Sequence, residues 1–332
     1  MKILLVGGTG TISSAVSELV IKNGDELYLL NRGNKPIPDG AKSIVCDVND
    51  TESVAQKIAE HHFDAVADFI AFTPEHIQRD IKLFSGKCDQ YIFISSASAY
   101  QKPLSNKVIT EQTPLDNPYW QYSRNKQICE EMLIDEYKNN GFPVTIVRPS
   151  HTYSTTNIPV GIHGAKGSFA VIKRMLEGKR IIVHGDGESL WVLTHNSDFA
   201  KAFVGILANK KAVGEIFHIT SDEALTWNEI YRTIANILGV EYKPFYVSST
   251  TLARLGKQYD LQGGLLGDKA NSVIFDNSKI KSFVPDFSAT TLFEKGAKIS
   301  LDYIMKNKSA QIEDPDFENW CDNVIELIET LG

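Results

Sequence analysis

The chain has 332 residues, of which 42% are hydrophobic, 10% aromatic and 23% charged, a composition that excludes disordered, collagen-like and low-complexity proteins. That length suits two domains, or one large α/β unit with insertions. With 34 basic against 41 acidic side chains the formal net charge is −7, so no global positive field favours a nucleic acid or an anionic membrane as the main partner.

The first half repeats one rhythm: a short β-branched or leucine-rich run, a turn, then a segment of helical period. Residues 3–6 are predicted as a strand, 11–22 as a helix ending at Asn23-Gly24, and 26–30 as a second strand. A strand at 43–46, a helix opening near Asp50-Thr51, a strand at 65–69, a helix after Pro74 and a strand at 91–94 follow, then a helix over 125–137 and a strand over 144–147. Strands this apolar, alternating with helices, predict a doubly wound parallel Rossmann sheet covered on both faces. Beyond Arg148 a loop punctuated by Gly161, Gly164 and Gly167 precedes a helix at 169–178, a strand at 180–183 and a turn at His184-Gly185-Asp186-Gly187. A helix at 197–208, a strand at 215–219 and a helix at 226–238, opened by a Thr226/Glu229 capping box, complete the readable pattern. The expected division is a Rossmann domain over 1–154 and about 188–222, with a smaller, discontinuous substrate lobe over about 155–187 and 223–332. In such folds ligands bind at the carboxyl edge of the sheet.

No apolar run approaches the roughly 18 to 20 residues of a membrane span, and Met1-Lys2 leads straight into a strand, so neither an anchor nor a signal peptide is expected. Cys46, Cys88, Cys129 and Cys321 form no Cys-x-x-Cys pair and are expected as buried thiols of a cytoplasmic protein. No metal site is expected: His61-His62 has no partner at ligand spacing. Trp120, Trp227 and Trp320 are expected as packing anchors.

Directly after the first strand stands Gly7-Gly8-Thr9-Gly10-Thr11-Ile12-Ser13, a Gly-x-x-Gly-x-x-Gly fingerprint with its last glycine replaced by Ser13. Such a loop lets backbone amides and a helix N-terminus approach a pyrophosphate. Strand two ends in Asn31-Arg32, with no carboxylate to grip a ribose hydroxyl and a guanidinium able to pair a 2′-phosphate, which favours NADP over NAD as the cofactor. Arg32 could equally be a solvated loop charge. Asp47, before Val48, either accepts from an adenine amine or caps the next turn. Tyr122 and Lys126 stand four apart on one helical face, and Ser95, Ser96 and Ser98 follow the fifth strand. An ammonium about 5 Å from the phenol at an effective dielectric of 20 contributes roughly 3 kcal/mol, enough to lower its pKa by about two. Tyr122 would then act as acid/base in hydride transfer, with Ser96 holding the substrate oxygen and Lys126 anchoring the nicotinamide ribose.

Together these residues, with Val147-Arg148-Pro149, Gly185-Asp186-Gly187, Thr194-His195, Asp198 and Asp276-Asn277-Ser278-Lys279, resemble the extended short-chain dehydrogenase/reductase family, in its NAD-dependent epimerase/dehydratase branch. The resemblance implies catalytic Ser96, Tyr122 and Lys126. It implies cofactor contacts from Gly7, Thr9, Gly10, Thr11, Ile12, Asn31, Arg32, Asp47, Val48, Phe69, Ile70, Ala71, Ile94, Ser95 and Pro149, and substrate contacts from Ser98, His151 and Trp191. The sequence departs from the family in four ways. Ala97-Ser98 stands where 4,6-dehydratases carry an Asp-Glu pair, leaving no acid to eliminate water, so a 4,6-dehydratase is not expected. Trp191 replaces a phosphate-clamping arginine. His151 replaces an asparagine, as a second proton carrier or a hydrogen-bonded structural histidine. Only some 20 residues separate Ala71 from Tyr91, so the helix and relay asparagine that relatives place there are not expected, which counts against a homodimer. Trp191 and the stretch Phe69-Ile70-Ala71-Phe72-Thr73-Pro74 are also similar to the subgroup that includes chloroplast stem-loop RNA-binding proteins. That supplies a rival reading, a retired enzyme fold binding RNA or sensing nucleotide. The acidic balance and the intact Ser96, Tyr122 and Lys126 weigh against it, in favour of an NAD(P)-dependent epimerase or oxidoreductase acting by hydride transfer at a secondary alcohol of a sugar or sugar-nucleotide-like substrate.

Overall fold

In the computed structural model, which describes residues 1–331, the chain runs β1 (Lys2–Val6), α1 (Ser13–Lys22), β2 (Glu26–Asn31), β3 (Lys42–Val45), α2 (Thr51–Lys57), β4 (Ala65–Asp68), α3 (Pro74–Phe84) and β5 (Tyr91–Ile94). It continues through β6 (Val108–Ile109), α4 (Gln121–Asn140), β7 (Val144–Pro149), β8 (His151–Tyr153), α5 (Phe169–Leu176), β9 (Ile181–His184), β10 (Leu190–His195), α6 (Asn196–Ile206) and β11 (Ile216–Ile219). The last part holds β12 (Ala224–Thr226), α7 (Trp227–Leu238), β13 (Pro244–Val247), α8 (Ser249–Leu255), a π-helical segment over Gln262–Lys269, β14 (Ile274–Phe275), α9 (Ser278–Phe283), α10 (Phe293–Lys306) and α11 (Pro315–Leu331).

The expected doubly wound sheet is present, with seven strands in the order β11-β7-β5-β4-β1-β2-β3, each pair parallel. Strand alternation sets its layers. Ile3 and Leu5 of β1 pack with Val16 and Val20 of α1 and Phe199 and Phe203 of α6, while Leu4 and Val6 pack with Val54 of α2, Ile77 of α3 and Leu133 of α4. A residue period of two divided between two helical layers is the signature of a sheet buried on both faces. The chain reverses direction across the sheet between β1 and β4, and the crevice beyond their carboxyl ends is where a doubly wound fold takes a ligand.

A second core lies beyond that edge. There β8, β10 and β12 make a small sheet, β9 pairs with β13, and α5, α7, α10 and α11 cover them. Trp191, Val192 and Leu193 of β10 belong to this second core. The capping box of α7 forms as expected, the Thr226 hydroxyl accepting from the Glu229 amide and the Glu229 carboxylate from the Thr226 amide.

Three expectations change. Helix α4 begins at Gln121 rather than 125, with Trp120 at its N-cap offering no side-chain bond, so no capping residue marks its start. Tyr122 therefore sits in the first turn. Of the two expectations for the short crossover after β4, the helix after Pro74 is the one met: α3, of 11 residues, packs against α4, so the crossover is not without a helix. Cys46 is half-buried rather than buried, because β3 is the edge strand. Among the described residues no helix is long and apolar enough to cross a membrane.

Candidate active site

The glycine loop follows β1 as predicted. Gly7 and Gly8 adopt φ of +106° and +43°, a region that side chains strain to reach, and a Cβ on Gly8 would stand 2.4 Å from Leu29. Gly8 is thus as necessary to the turn as Gly7. Ser13, in place of the third glycine, turns its hydroxyl back to accept the Gly10 amide at 2.9 Å. The loop is tied to the far side of the crevice by Asn196, whose amide donates to the Thr11 carbonyl at 2.8 Å.

Three adjoining cavities run from this loop along the sheet edge. The first, of about 490 Å³, is lined by Gly7, Thr9, Gly10, Asn31, Arg32, Asp47, Val48 and Ile70, together with Asn34, Lys35, His76 and Arg79, which the sequence did not single out. Asn31 accepts the Gly33 amide at 2.9 Å while its own NH₂ group is buried without a partner. Asp47 both lines this cavity and caps the following turn, its carboxylate accepting the Asn49 amide at 2.9 Å. Within that lining Arg79 bridges Asp68, Asp80 and the Asn49 side chain, so its charge is largely spent internally.

The second cavity, of about 300 Å³, is lined by Thr11, Ile12, Phe69, Ile94, Ser95, Ser96, Tyr122, Lys126 and Pro149, and also by Phe72, Ser150 and Thr152. Ala71 takes no part in any lining, being fully buried; its carbonyl is instead the anchor for Lys126. Ser95 is buried, with its hydroxyl donated to Glu130, which in turn pairs with Arg148 at 2.6 Å.

The third cavity, of about 410 Å³, shares Ser96, Tyr122, Pro149 and Ser150 with the second. Ser98, His151 and Trp191, the expected substrate contacts, are among its lining residues. Trp191 packs nearly parallel to Trp227 with ring centroids 5.8 Å apart and donates its indole N–H to His151 Nδ1 at 3.3 Å. Burial pushes His151 down to about 3, so it stays neutral and hydrogen-bonded rather than carrying protons. Trp120 is more than a packing anchor: it lines this cavity, its ring 5.0 Å from that of Tyr122. Lys102, His163, Asp268, Lys269, Val273 and Phe275 complete the wall. No local pattern announces them, because four of the six arrive from segments more than a hundred residues beyond Ser96. Asp268 also corrects the expectation that no acid is at hand. Burial raises its carboxyl to about 6, where it can hold or release a proton near neutrality.

Ser96, Tyr122 and Lys126 are brought together, but their electrostatics differ from expectation. Lys126 is 1% exposed, and its ammonium donates to the carbonyls of Ala71 and Ile94, both at 2.7 Å. Burial lowers it to about 8, and it lies 5.7 Å from the centre of the Tyr122 ring. Burial raises the Tyr122 phenol above its usual value; the opposing pull is a hydrogen bond from Ser96, not the charge of Lys126. The expected acidification by the lysine is therefore absent, because its ammonium is itself desolvated and committed to two carbonyls. A hydroxyl chain backs the site: Ser96 and Ser98 lie 2.9 Å apart, and Ser123 donates to Ser98 at 2.8 Å.

The fold and this row of cavities define a Rossmann protein with a glycine-loop groove running into a further cavity at the sheet edge. The chain belongs to the NAD dependent epimerase/dehydratase family, whose model matches residues 3–220. It is 23% identical over 249 residues to a 2'-dehydrokanamycin reductase of Streptomyces kanamyceticus, covering 74% of this chain and 69% of that one. It is 28% identical over 267 residues to the chloroplast stem-loop binding protein of 41 kDa b of Arabidopsis thaliana, covering 73% of this chain and 66% of that one. Among solved structures, a dTDP-glucose 4,6-dehydratase of Bacillus anthracis in complex with NAD superposes with a TM-score of 0.73 at 20% identity, over 93% of this chain and 98% of that one, which shows the shared fold. The family includes dehydratases as well as epimerases, so membership does not support the expected exclusion of a dehydratase.

Proposed function

We propose that the protein is an NAD(P)-dependent epimerase or oxidoreductase that works at a secondary alcohol of a sugar-like substrate. The observation that carries this reading is the shared wall: Ser96 and Tyr122 line both the second and the third cavity. Groups in that position touch a cofactor on one side and a substrate on the other.

The residues present suit a dinucleotide. A side-chain-free turn at Gly7-Gly8 opens the approach to the α1 N-terminus, and the partnerless Asn31 amide adds a donor to the first cavity's lining. Arg32 and Lys35 stand in that lining with no carboxylate at the end of β2, which supports NADP over NAD. When bound, the nicotinamide accepts or returns a hydride. The chain supplies the proton chemistry. Ser96 donates toward Tyr122 and orients the substrate hydroxyl; Tyr122 takes that hydroxyl's proton on oxidation and gives one back on reduction; Ser98 and Ser123 relay to Ser96. Lys126, released from the Ala71 and Ile94 carbonyls, is placed to hold the ribose. The rival RNA-binding reading is not favoured, since it has no use for this constellation.

A screen of polyols and sugars with NADP and NAD, with Tyr122→Phe beside the native enzyme, tests the proposal. Hydride transfer that vanishes in the variant is expected; activity that survives it removes Tyr122 from the mechanism.

A further inference from the structure

The third cavity holds two cations that nothing in the mechanism uses. Lys102 comes from the loop after β5 and is only 3% exposed; Lys269 ends the π-helical segment. Among the described residues neither ammonium hydrogen-bonds to a side chain or carbonyl, and neither makes an ion pair. Asp268 faces both from the same wall and Asp260 faces Lys269, each beyond ion-pair distance, and burial lowers both lysines below their ordinary value. Burial lowers His151 and His163, so neither adds a charge there, and the two ammonium groups face the cavity with no carboxylate in contact. Leaving cations desolvated and unpaired is costly, and the cost is relieved when an anion enters.

The placement of these lysines is built. The Lys102 amide donates to the Asp116 carbonyl at 2.9 Å. The Asn117 side chain donates to the carbonyls of both Ser98 and Gly267 at 2.7 Å, clamping the Lys102 loop to the π-helical segment. That segment approaches closely because Gly263 has no side chain: a Cβ there would stand 2.1 Å from the Trp120 ring.

We propose that Lys102 and Lys269 form an anion-binding subsite, and that the substrate is a compact polyol carrying a carboxylate or phosphate whose charge they hold while Ser96 and Tyr122 act on a hydroxyl. This rests on the third cavity being the substrate chamber of the proposed enzyme. At about 410 Å³ the chamber lies toward the small end of ligand pockets.

Trp120 and Trp191 line the cavity, so their fluorescence reports its filling. The protein is titrated with D-gluconate, with inorganic phosphate and with D-sorbitol, the neutral counterpart of gluconate; binding of NADPH and of NADH is measured on the same samples. Saturable binding of gluconate, phosphate or both is expected, with sorbitol at least about tenfold weaker, and each of Lys102→Gln and Lys269→Gln is expected to weaken the anion by about tenfold or more. Gluconate alone would assign a carboxylate, phosphate alone a phosphoryl group. Anions that bind no better than sorbitol, or that keep native affinity in the double variant, overturn the subsite. NADPH or NADH binding beside such a failure leaves the proposed hydride-transfer function standing, whereas lysine-dependent anion binding with neither NADPH nor NADH bound keeps the subsite and removes that function.

Discussion

The glycine-loop groove and the third cavity, the proposed cofactor groove and substrate chamber, lie at one sheet edge, yet they are assembled differently. The groove is built from the turns after β1, β2, β3 and β4, each a few residues past a strand that the hydrophobic pattern already marks. The chamber draws on Ser96, Lys102, Trp120, His151, Trp191 and Asp268, which lie on segments spread over most of the chain. One site is a property of local chain order; the other needs segments far apart in the sequence to be brought together. Substitutions should therefore separate the two.

The largest effect is expected at the shared wall. Tyr122→Phe removes the proposed proton carrier and should lower kcat about 10²- to 10⁴-fold while NADH affinity is kept, which steady-state kinetics beside a fluorescence titration would show. If NADH affinity falls together with kcat, the two sites are not separable there.

Stability against pH probes the buried lysine at the same wall. Lys126 is held at about 8 in the fold against an ordinary 10.5. Below pH 8 both states are protonated and the folded state bears the full cost of burying the charge. Between 8 and 10.5 the unfolded state binds the additional proton, so stability rises with pH, by about 3 kcal/mol from this residue. Urea unfolding from pH 7 to 10 should show the rise, and Lys126→Met should flatten its share. A fall across that window would contradict the buried-cation account.

Gly263→Ala should disturb the chamber alone. Its Cβ meets the Trp120 ring at 2.1 Å, so a loss of roughly 1 to 3 kcal/mol in stability and a raised KM for substrate are expected, with NADPH affinity unchanged. The smallest change is expected at the outer end of the groove, where Arg32→Ala should weaken NADPH about tenfold and NADH little. Equal loss for both cofactors would make Arg32 a general surface charge.

What the sequence made legible follows the same division. Alternating apolar residues such as Ile3, Leu4, Leu5 and Val6 signal a sheet buried on both faces, and the glycine turn announces its own backbone demand. Strand β10 was not foreseen, because its buried Trp191, Val192 and Leu193 run into the polar Thr194-His195-Asn196 corner that starts α6. The helices and strands after α7 likewise went unread, as did the π-helical segment, whose glycines look like a loop until Trp120 is seen against them. The charge of Lys126 was legible but its effect was not, since desolvation and the Ala71 and Ile94 carbonyls appear only in three dimensions.

The central claim is that Ser96 and Tyr122 stand between a bound nicotinamide and a substrate. A crystal structure of the protein grown with NADP tests it most directly. The account predicts the dinucleotide along the first two cavities, with nicotinamide C4 facing the third and within about 4 Å of the Tyr122 hydroxyl. A cofactor bound elsewhere, or a nicotinamide ring turned out of the cavity that Lys126 lines, would contradict it.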